Sequence, residues 1–206
     1  MHRDWTTVIF SDECTFSSTN DGPTVVYRPR GTRYDPRYVT HKRSSGHVTV
    51  CAWGWMSSHG LGVLHRVENR LTAEQYLHIL KNVMLPSVRS IYPDGVIQFQ
   101  QDRSPIHTAR LVHNWLASQG DIDVLQWPPR GADLSPIENV WAETKRILRE
   151  NWPSPPPRTQ DELWDAVFAA WEEIADNGRR YSNRLISSMP RRIEAVIQAN
   201  GNWTRY

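Results

Sequence analysis

The sequence predicts an α/β fold in which a sheet is flanked by helices and followed by a small helical tail. Strand-like and helical runs follow one another in the order β-β-β-β-α-β-α-β-α, and a strand-helix-strand-helix series between Val96 and Leu148 is typical of a β-α-β unit. Acidic residues come soon after several strand-like runs. Because open α/β sheets bind ligands at the carboxyl ends of their strands, we expect the functional residues there.

Composition and charge are those of a globular protein with one sizeable core. Of the 206 residues, 39% are hydrophobic and 22% are charged, and the net charge is only +2, so any nucleic-acid signal must be local. Nearly all basic residues are arginines, which suit bidentate phosphate contacts, although a genomic composition bias would produce the same excess. Cys14 and Cys51 lack a zinc-type spacing and fit a reducing compartment. The sequence contains no apolar run that could span a membrane.

The N-terminal half is predicted to contain four strands and one helix. Trp5–Phe10 is a β-branched and aromatic run, which we expect to end at Asp12 and Glu13. The other expected strands are Thr24–Tyr27, His47–Met56 and Gly60–Val67. A capping box at Thr72 predicts a helix that ends near Pro86.

The central part of the chain carries two more acids. Its predicted elements are strand Val96–Gln100, a helix from Ser104 to Gln119, strand Ile122–Trp127 and a helix that begins near Ser135. Asp102 lies at the carboxyl end of the first of these strands. Glu138 lies in the first turn of the second of these helices.

We divide the chain into three parts. Residues 1–151 are the predicted α/β domain with the acids, residues 152–158 are a proline-rich, extended connector, and residues 159–206 are a helical extension expected to pack on the first domain. In the extension, Thr159 and Glu162 predict a second capping box.

Asp12, Asp102 and Glu138 could face one cleft. Hard carboxylate oxygens bind Mg²⁺ or Mn²⁺, and two such ions can clamp the attacking and leaving oxygens of a phosphoryl displacement. Each acid also has a simpler interpretation. Glu138 could form a capping box with Ser135. Asp12 could be a turn residue, and Glu13 would then be the functional acid in its place. Asp102 could be an ordinary loop acid.

Four runs of sequence carry a family resemblance: VIFSDECTF, QQDRSPIHTA, WPPRGADLSPIENVWAETKRIL and SMPRRIEAVIQANGNWTRY. They resemble the catalytic domain of Tc/mariner-type DNA transposases, over nearly the whole chain from Trp5 to Tyr206. The resemblance implies a ribonuclease H-like fold, with a mixed five-stranded sheet whose first three strands are antiparallel. It also implies that the three catalytic and metal-binding acids of the family are Asp12, Asp102 and Glu138.

The resemblance further implies a cut-and-paste transposase with two Mg²⁺ or Mn²⁺ ions. Its partners would be double-stranded DNA, namely the terminal inverted repeats and a TA target, and a second copy of the chain. No membrane would be involved, and the location would be nuclear. A ribonuclease H-like nuclease that prefers RNA–DNA hybrids is a weaker alternative, because the DLSPIENVW run argues against it.

Two departures from the family pattern support a second hypothesis, a catalytically inactive, transposon-derived module that binds DNA or protein. Arg103 stands where the family usually has asparagine, and its guanidinium could compete with metal for Asp102 or hold DNA phosphate. The paired helix-turn-helix region that precedes this domain in the family is not in the sequence, so we expect poor recognition of transposon ends. In addition, 35 residues separate Asp102 from Glu138, one more than is usual in the Tc branch.

Ten residues are candidates for contacting DNA. The predicted contacts are Arg28, Arg30, Arg33, Arg37, Lys42, Arg43, Arg103, His107, Lys145 and Arg149. The first six form an arginine-rich segment where related transposases carry a loop or hairpin, and a solvated loop is the alternative. Lys145 and Arg149 share the helix face of Glu138. The pattern is equally compatible with a helix face that contacts only solvent. For His107, a structural role beside the acids is the competing interpretation.

Overall fold

Strand β1 (Val8–Ser17) lies at the centre of a five-stranded sheet in the order β3-β2-β1-β4-β5. The computed structural model describes residues 3–18, 29, 32, 35, 47–68, 70–129, 131–153, 155–176, 178–202 and 204. The other strands are β2 (Thr49–Ser57), β3 (Gly60–Val67), β4 (Ile97–Gln100) and β5 (Ile122–Val124). Strands β1 to β3 pair antiparallel, and β4 and β5 continue the sheet in parallel from β1. This mixed sheet confirms the fold that the resemblance implies.

Seven α-helices flank the sheet in the described part of the chain. They are α1 (Ala73–Ile79), α2 (Leu85–Ile91), α3 (Arg110–Ser118), α4 (Ile137–Glu150), α5 (Gln160–Asp176), α6 (Gly178–Ile186) and α7 (Met189–Gln198). A π-helical turn, Leu80–Met84, joins α1 to α2, and short 3-10 turns form at Trp5–Thr7 and Ala132–Leu134. Within the described residues, no helix is long and apolar enough to cross a membrane.

The core consists of two apolar clusters, one on each face of the sheet. Alternate side chains of β1 point to opposite faces, so Phe10 belongs to one cluster and Ile9 to the other. Helices α4 and α5 cover the face of Phe10, whereas α1, α2 and α3 cover the face of Ile9. Buried residues of α5, α6 and the start of α7 belong to the first cluster. The C-terminal helices therefore share a hydrophobic core with the sheet.

Strand β1 differs from its prediction at both ends. Trp5 to Thr7 form a 3-10 turn, and the strand runs on to Ser17 because every position from Phe10 to Ser17 pairs with β2. Asp12 therefore lies inside a strand and not beyond its end. The predicted strand Thr24–Tyr27 lies outside the described residues.

Two predicted helix boundaries were also wrong. The first helix does not end near Pro86, because Pro86 lies in the first turn of α2, where the missing N–H of proline is tolerated. Helix α3 does not begin at Ser104, because Ala109 is extended (φ −57°, ψ 141°) and the helix begins at Arg110. Both predicted capping boxes form, at Thr72 and at Thr159.

Candidate active site

Asp12 and Asp102 are brought to neighbouring positions by the pairing of β1 with β4. In this parallel ladder the last registered pair is Phe10 with Gln100, and each aspartate lies two residues beyond its member of that pair. Parallel strands reach the same edge of a sheet in the same direction. Both acids thus lie at the carboxyl edge of the parallel part of the sheet, as expected, although for Asp12 that edge falls in the middle of β1.

Strand alternation decides between Asp12 and Glu13. Asp12 shares a face of β1 with Phe10, the face covered by α4, whereas Glu13 points to the opposite face. Oδ2 of Asp12 accepts a hydrogen bond at 3.2 Å from Nε1 of Trp141 in α4. The acid that faces the helix carrying Glu138 is therefore Asp12.

Gly54 makes room for this contact. It lies opposite Asp12 in the β1–β2 ladder, and a Cβ atom at Gly54 would come within 3.0 Å of the indole rings of both Trp141 and Trp171. Without a side chain at this position, the two indoles can pack over the strand next to the carboxylate.

Glu138 lies in the first turn of α4 and is exposed. The alternative in which it forms a capping box with Ser135 is wrong, since α4 begins after Pro136 without a side-chain cap. The hydroxyl of Ser135 instead lies 3.4 Å from Oε1 of Gln100. The carboxylate of Glu138 is therefore not tied to the start of its own helix.

Glu138 is electrostatically coupled to each of the two aspartates. Burial raises the pKa of Asp12 to about 7, and the negative charges of Glu13 and Glu138 add to the rise. Partial burial also raises the pKa of Glu138, with the charge of Lys145 opposing the rise and that of Asp102 adding to it. Negative charge is thus concentrated at this edge of the sheet.

His107 bridges two carboxylates from a buried position. Its Nε2 lies 3.1 Å from Oε1 of Glu13, and its Nδ1 lies 2.5 Å from Oδ1 of Asp102. The second contact is an ion pair with poor hydrogen-bond direction. The ring is 3% exposed and packs on Tyr76, with 4.1 Å between ring centroids. Because His107 has so little exposed surface, its position favours the structural role over the predicted DNA contact.

The bridge also changes the ionisation of His107 and Asp102. Burial favours the neutral imidazole, but the contacts with Asp102 and Glu13 outweigh it and raise the pKa of His107 to about 9. The contact with His107 in turn lowers the pKa of Asp102, against the effect of partial burial and with help from the N–H of Ser104, which donates to Asp102 at 2.8 Å. Asp102 is therefore held ionised near neutral pH.

The structure places some of the predicted DNA contacts beside this site. Lys145 extends from α4 to within 5.6 Å of the ring centroid of Phe16 on β1, and its charge acts on Glu138. Arg103 and Arg149 are exposed, Arg103 directly after Asp102 and Arg149 at the last turn of α4. The six basic residues Arg28, Arg30, Arg33, Arg37, Lys42 and Arg43 lie outside the described residues.

A groove of about 590 Å³ opens beside Asp102, between the segment after β4, helix α3 and the segment after β5. Its lining includes Arg103, His113, Gln126 and Trp127.

The acids are suitable ligands for a divalent cation, although they do not form a closed cage. Among the described residues, no three acidic, histidine or cysteine side chains converge closely enough to enclose a metal ion. The donors are nevertheless the hard oxygens that Mg²⁺ and Mn²⁺ prefer. Burial is the main cause of the raised pKa values of Asp12 and Glu138, and neighbouring carboxylates add to them; a divalent cation would offset that added negative charge.

Sequence reasoning missed two supporting residues of this site. Glu13 was considered only as a competitor of Asp12, and no contact with the acids was predicted for Trp141. The spacing contained one usable signal, because Trp141 follows Glu138 by three positions and therefore lies on a neighbouring part of the same helix surface.

A mixed five-stranded sheet with acids at the β1–β4 edge and at the start of α4 defines a ribonuclease H-like domain of the nuclease and transposase class. Residues 7–161 match the family described as DDE superfamily endonuclease. The chain is 35% identical over 205 residues to the Tc1 transposase of Caenorhabditis elegans, and 30% identical over 207 residues to the Tc3 transposase of the same organism. The chain belongs to the DDE superfamily endonucleases and, within them, to the Tc/mariner-type transposases.

Solved structures show the same fold. The Mos1 mariner paired-end complex with Mn has a TM-score of 0.77 at 19% identity, and the catalytic domain of Mos1 has one of 0.70 at 16% identity. The match covers 98% of this chain in both cases, 58% of the Mos1 chain in the complex and 85% of the catalytic domain. This chain spans 72% of the Tc1 transposase and 60% of the Tc3 transposase.

Proposed function

We propose that this chain is the catalytic domain of a cut-and-paste DNA transposase. It hydrolyses a phosphodiester at the transposon end, and the freed 3′-hydroxyl then attacks target DNA. The observation that carries the proposal is the placement of Asp12 and Asp102, each two residues beyond the last pair of the β1–β4 ladder, with Asp12 hydrogen-bonded to the helix that carries Glu138. The charge of Glu138 adds to the raised pKa of Asp12, and the charge of Asp102 adds to that of Glu138, which supports a shared reaction centre.

Asp12, Asp102 and Glu138 would hold two Mg²⁺ or Mn²⁺ ions. The Mos1 catalytic domain has been solved with Mn and with Mg, which supports this choice. Bound divalent ions activate the attacking oxygen and offset the charge that develops on the leaving oxygen. No separate nucleophilic side chain is needed for this chemistry.

The surrounding residues prepare the acids for this task. The indole of Trp141 donates to Asp12 and favours its ionised form, against the effect of burial. His107 and the N–H of Ser104 fix the carboxylate of Asp102 in its ionised form. Lys145 places a positive charge near Glu138, where it would attract the phosphate of the DNA strand.

The proposed partners are double-stranded DNA and a second copy of the chain. Paired-end complexes of Mos1 with a transposon end support both. The DNA would comprise the terminal inverted repeats and a TA target, and the location would be the nucleus. Sequencing of insertion sites tests the TA target, light scattering of the DNA complex tests the dimer, and a fluorescent fusion in cells tests the location.

Nicking of supercoiled plasmid DNA with Mg²⁺ or Mn²⁺ tests the catalytic role of the acids. Loss of one metal ligand removes several kcal/mol of charge stabilisation, so Asp102→Asn and Glu138→Gln should each lower the rate by at least about 100-fold. Asp123→Asn, at an exposed acid of β5, is the matched control and should nick like wild type. Wild-type rates in the first two variants would contradict the assignment.

A catalytically inactive binding module is the second candidate. Arg103 beside Asp102 and the open arrangement of the acids favour it. Calorimetric titration with Mn²⁺ separates the two proposals, because an inactive relic with a spoiled site shows no binding that depends on the three carboxylates. The catalytic domain should bind Mn²⁺ and lose that binding in Asp12→Asn.

A further inference from the structure

Arg192 in helix α7 is almost completely buried, with 3% of its surface exposed. Its Nε lies 2.8 Å from the hydroxyl oxygen of Ser188, Nη1 lies 2.9 Å from the backbone carbonyl of Asp133, and Nη2 lies 2.5 Å from Oδ1 of Asn139. A buried guanidinium is unfavourable unless its N–H groups are hydrogen-bonded. Because the fork is planar and rigid, these contacts fix the relative positions of three separate points in the chain.

Two of these points lie on either side of Glu138. Asp133 belongs to the 3-10 turn that leads into α4, and Asn139 directly follows Glu138. Helix α4 begins after Pro136 without a side-chain cap, so its first turn lacks the usual local support. The guanidinium of Arg192 supplies support from the C-terminal part of the chain instead.

Other C-terminal residues contact the same two points. Oδ2 of Asp133 accepts hydrogen bonds from the backbone N–H of Thr204 at 3.1 Å and from its hydroxyl at 3.0 Å. The hydroxyl of Tyr181 in α6 donates to the backbone carbonyl of Asn139 at 3.2 Å. Three separate C-terminal segments therefore converge on the residues that flank Glu138.

We propose that Arg192 is a positioning residue for Glu138. It connects the C-terminal helices to the start of α4 and so sets the place from which the carboxylate of Glu138 reaches Asp12 and Asp102. Arg192 acts only through α4 and does not itself contact the substrate. The inference rests on the proposed function, since it takes Glu138 to be a catalytic acid.

The test compares Arg192→Met, which keeps the side-chain length and removes the donors, with Arg191→Met, at the exposed arginine one position earlier on the same helix. Circular dichroism first checks that both variants are folded. Three measurements follow: amide hydrogen exchange of residues 131–141 without metal, the Kd for Mn²⁺ by calorimetry, and kcat and KM for plasmid nicking. Loss of a supporting contact of this kind typically costs roughly 10- to 100-fold in metal affinity or activity.

In Arg192→Met we expect faster exchange at the start of α4, with unchanged exchange in the sheet. We also expect a Kd for Mn²⁺ raised about 10-fold or more and a lower kcat with little change in KM. Arg191→Met should match wild type in all three measurements. A general structural role would instead speed exchange throughout the chain.

Wild-type exchange and Mn²⁺ affinity in Arg192→Met would overturn the proposal. If Arg192→Met does not fold, Asn139→Ala removes a single acceptor and is measured in the same way, and wild-type values there would overturn it equally. Glu138→Gln distinguishes a failure of the proposed function from a failure of the role assigned to Arg192. Normal nicking by Glu138→Gln contradicts the proposed function, whereas inactive Glu138→Gln beside a normal Arg192→Met contradicts only the role of Arg192.

Discussion

Nε1 of Trp141 lies 3.2 Å from Oδ2 of Asp12, and this hydrogen bond joins the central strand of the sheet to the helix that carries Glu138. The same indole packs on Trp171 of α5, with 5.1 Å between ring centroids, and against the strand at Gly54. The position of one acid thus depends on how well the aromatic side chains of two helices pack over β1.

Replacement of Trp141 by phenylalanine keeps most of the packing and removes the donor. We expect the pKa of Asp12 to rise further above its usual range, because the hydrogen bond favours the ionised form. The affinity for Mn²⁺ at pH 7 should fall several-fold, and the free energy of unfolding by about 1 kcal/mol. Calorimetry and urea denaturation measure these two effects.

Trp171→Phe is the matched control for this variant. It also removes an indole hydrogen bond, from Nε1 to the carbonyl of Gly62 at 3.1 Å, but that bond does not involve an acid. It should lower stability by a similar amount and leave the affinity for Mn²⁺ unchanged. Equal losses of affinity in both variants would mean that aromatic packing matters here and the hydrogen bond does not.

Asp12 should destabilise the folded, metal-free protein at pH values above the pKa that Asp12 has in the unfolded chain. The pKa of Asp12 is raised from 3.8 to about 7, so between these values the folded state binds more protons than the unfolded state and stability falls as pH rises. Asp12→Asn should therefore raise the free energy of unfolding at pH 8 by roughly 2–4 kcal/mol, with little effect near pH 4. Urea denaturation across this range measures the difference, with Asp123→Asn as control. A variant no more stable than wild type at pH 8 would contradict the burial argument.

His107 should have the opposite pH dependence. The pKa of His107 is raised to about 9, so its stabilising effect is fully present below the unfolded value of 6.5 and is lost as pH rises through 9. Relative to wild type, His107→Gln should lose roughly 3 kcal/mol more stability at pH 6 than at pH 10. His113→Gln, at an exposed histidine of α3, is the matched control. A pH-independent loss in His107→Gln would indicate packing alone.

The order of most of the described elements was predicted from local sequence patterns, and the three acids were proposed from the same patterns. A β-branched run followed by Asp12, or a helix start that carries Glu138, is visible within a few residues. The extent of β1 was not visible, since it depends on pairing with β2 some 40 positions later. For the same reason the pattern could not decide between Asp12 and Glu13, because the answer depends on which face of the sheet α4 covers.

The segment after β4 shows a second limit of local reasoning. Ser104 followed by proline predicts a helix start, but in the structure the N–H of Ser104 donates to Asp102, and His107 turns inward to meet Glu13. Contacts with a residue 94 positions earlier compete with helix formation there. Arg192 is a similar case, since nothing in its helical spacing indicates that it would reach Asp133 and Asn139.

The proposals of an active and of an inactive domain differ in the role of Arg103 beside Asp102. In the structure the carboxylate of Asp102 contacts His107 and Ser104, and Arg103 is exposed, so we expect its guanidinium to bind DNA phosphate and not to compete with metal. Because the energies of exposed ion pairs are small, Arg103→Asn should leave the Kd for Mn²⁺ within about twofold of the wild-type value. The slope of log K for DNA against log salt should fall in magnitude by about one, which a fluorescence anisotropy titration measures. Lys81→Ala, on the turn between α1 and α2, should change neither quantity. A Kd for Mn²⁺ lowered tenfold, with an unchanged salt slope, would show instead that Arg103 competes with the metal for Asp102.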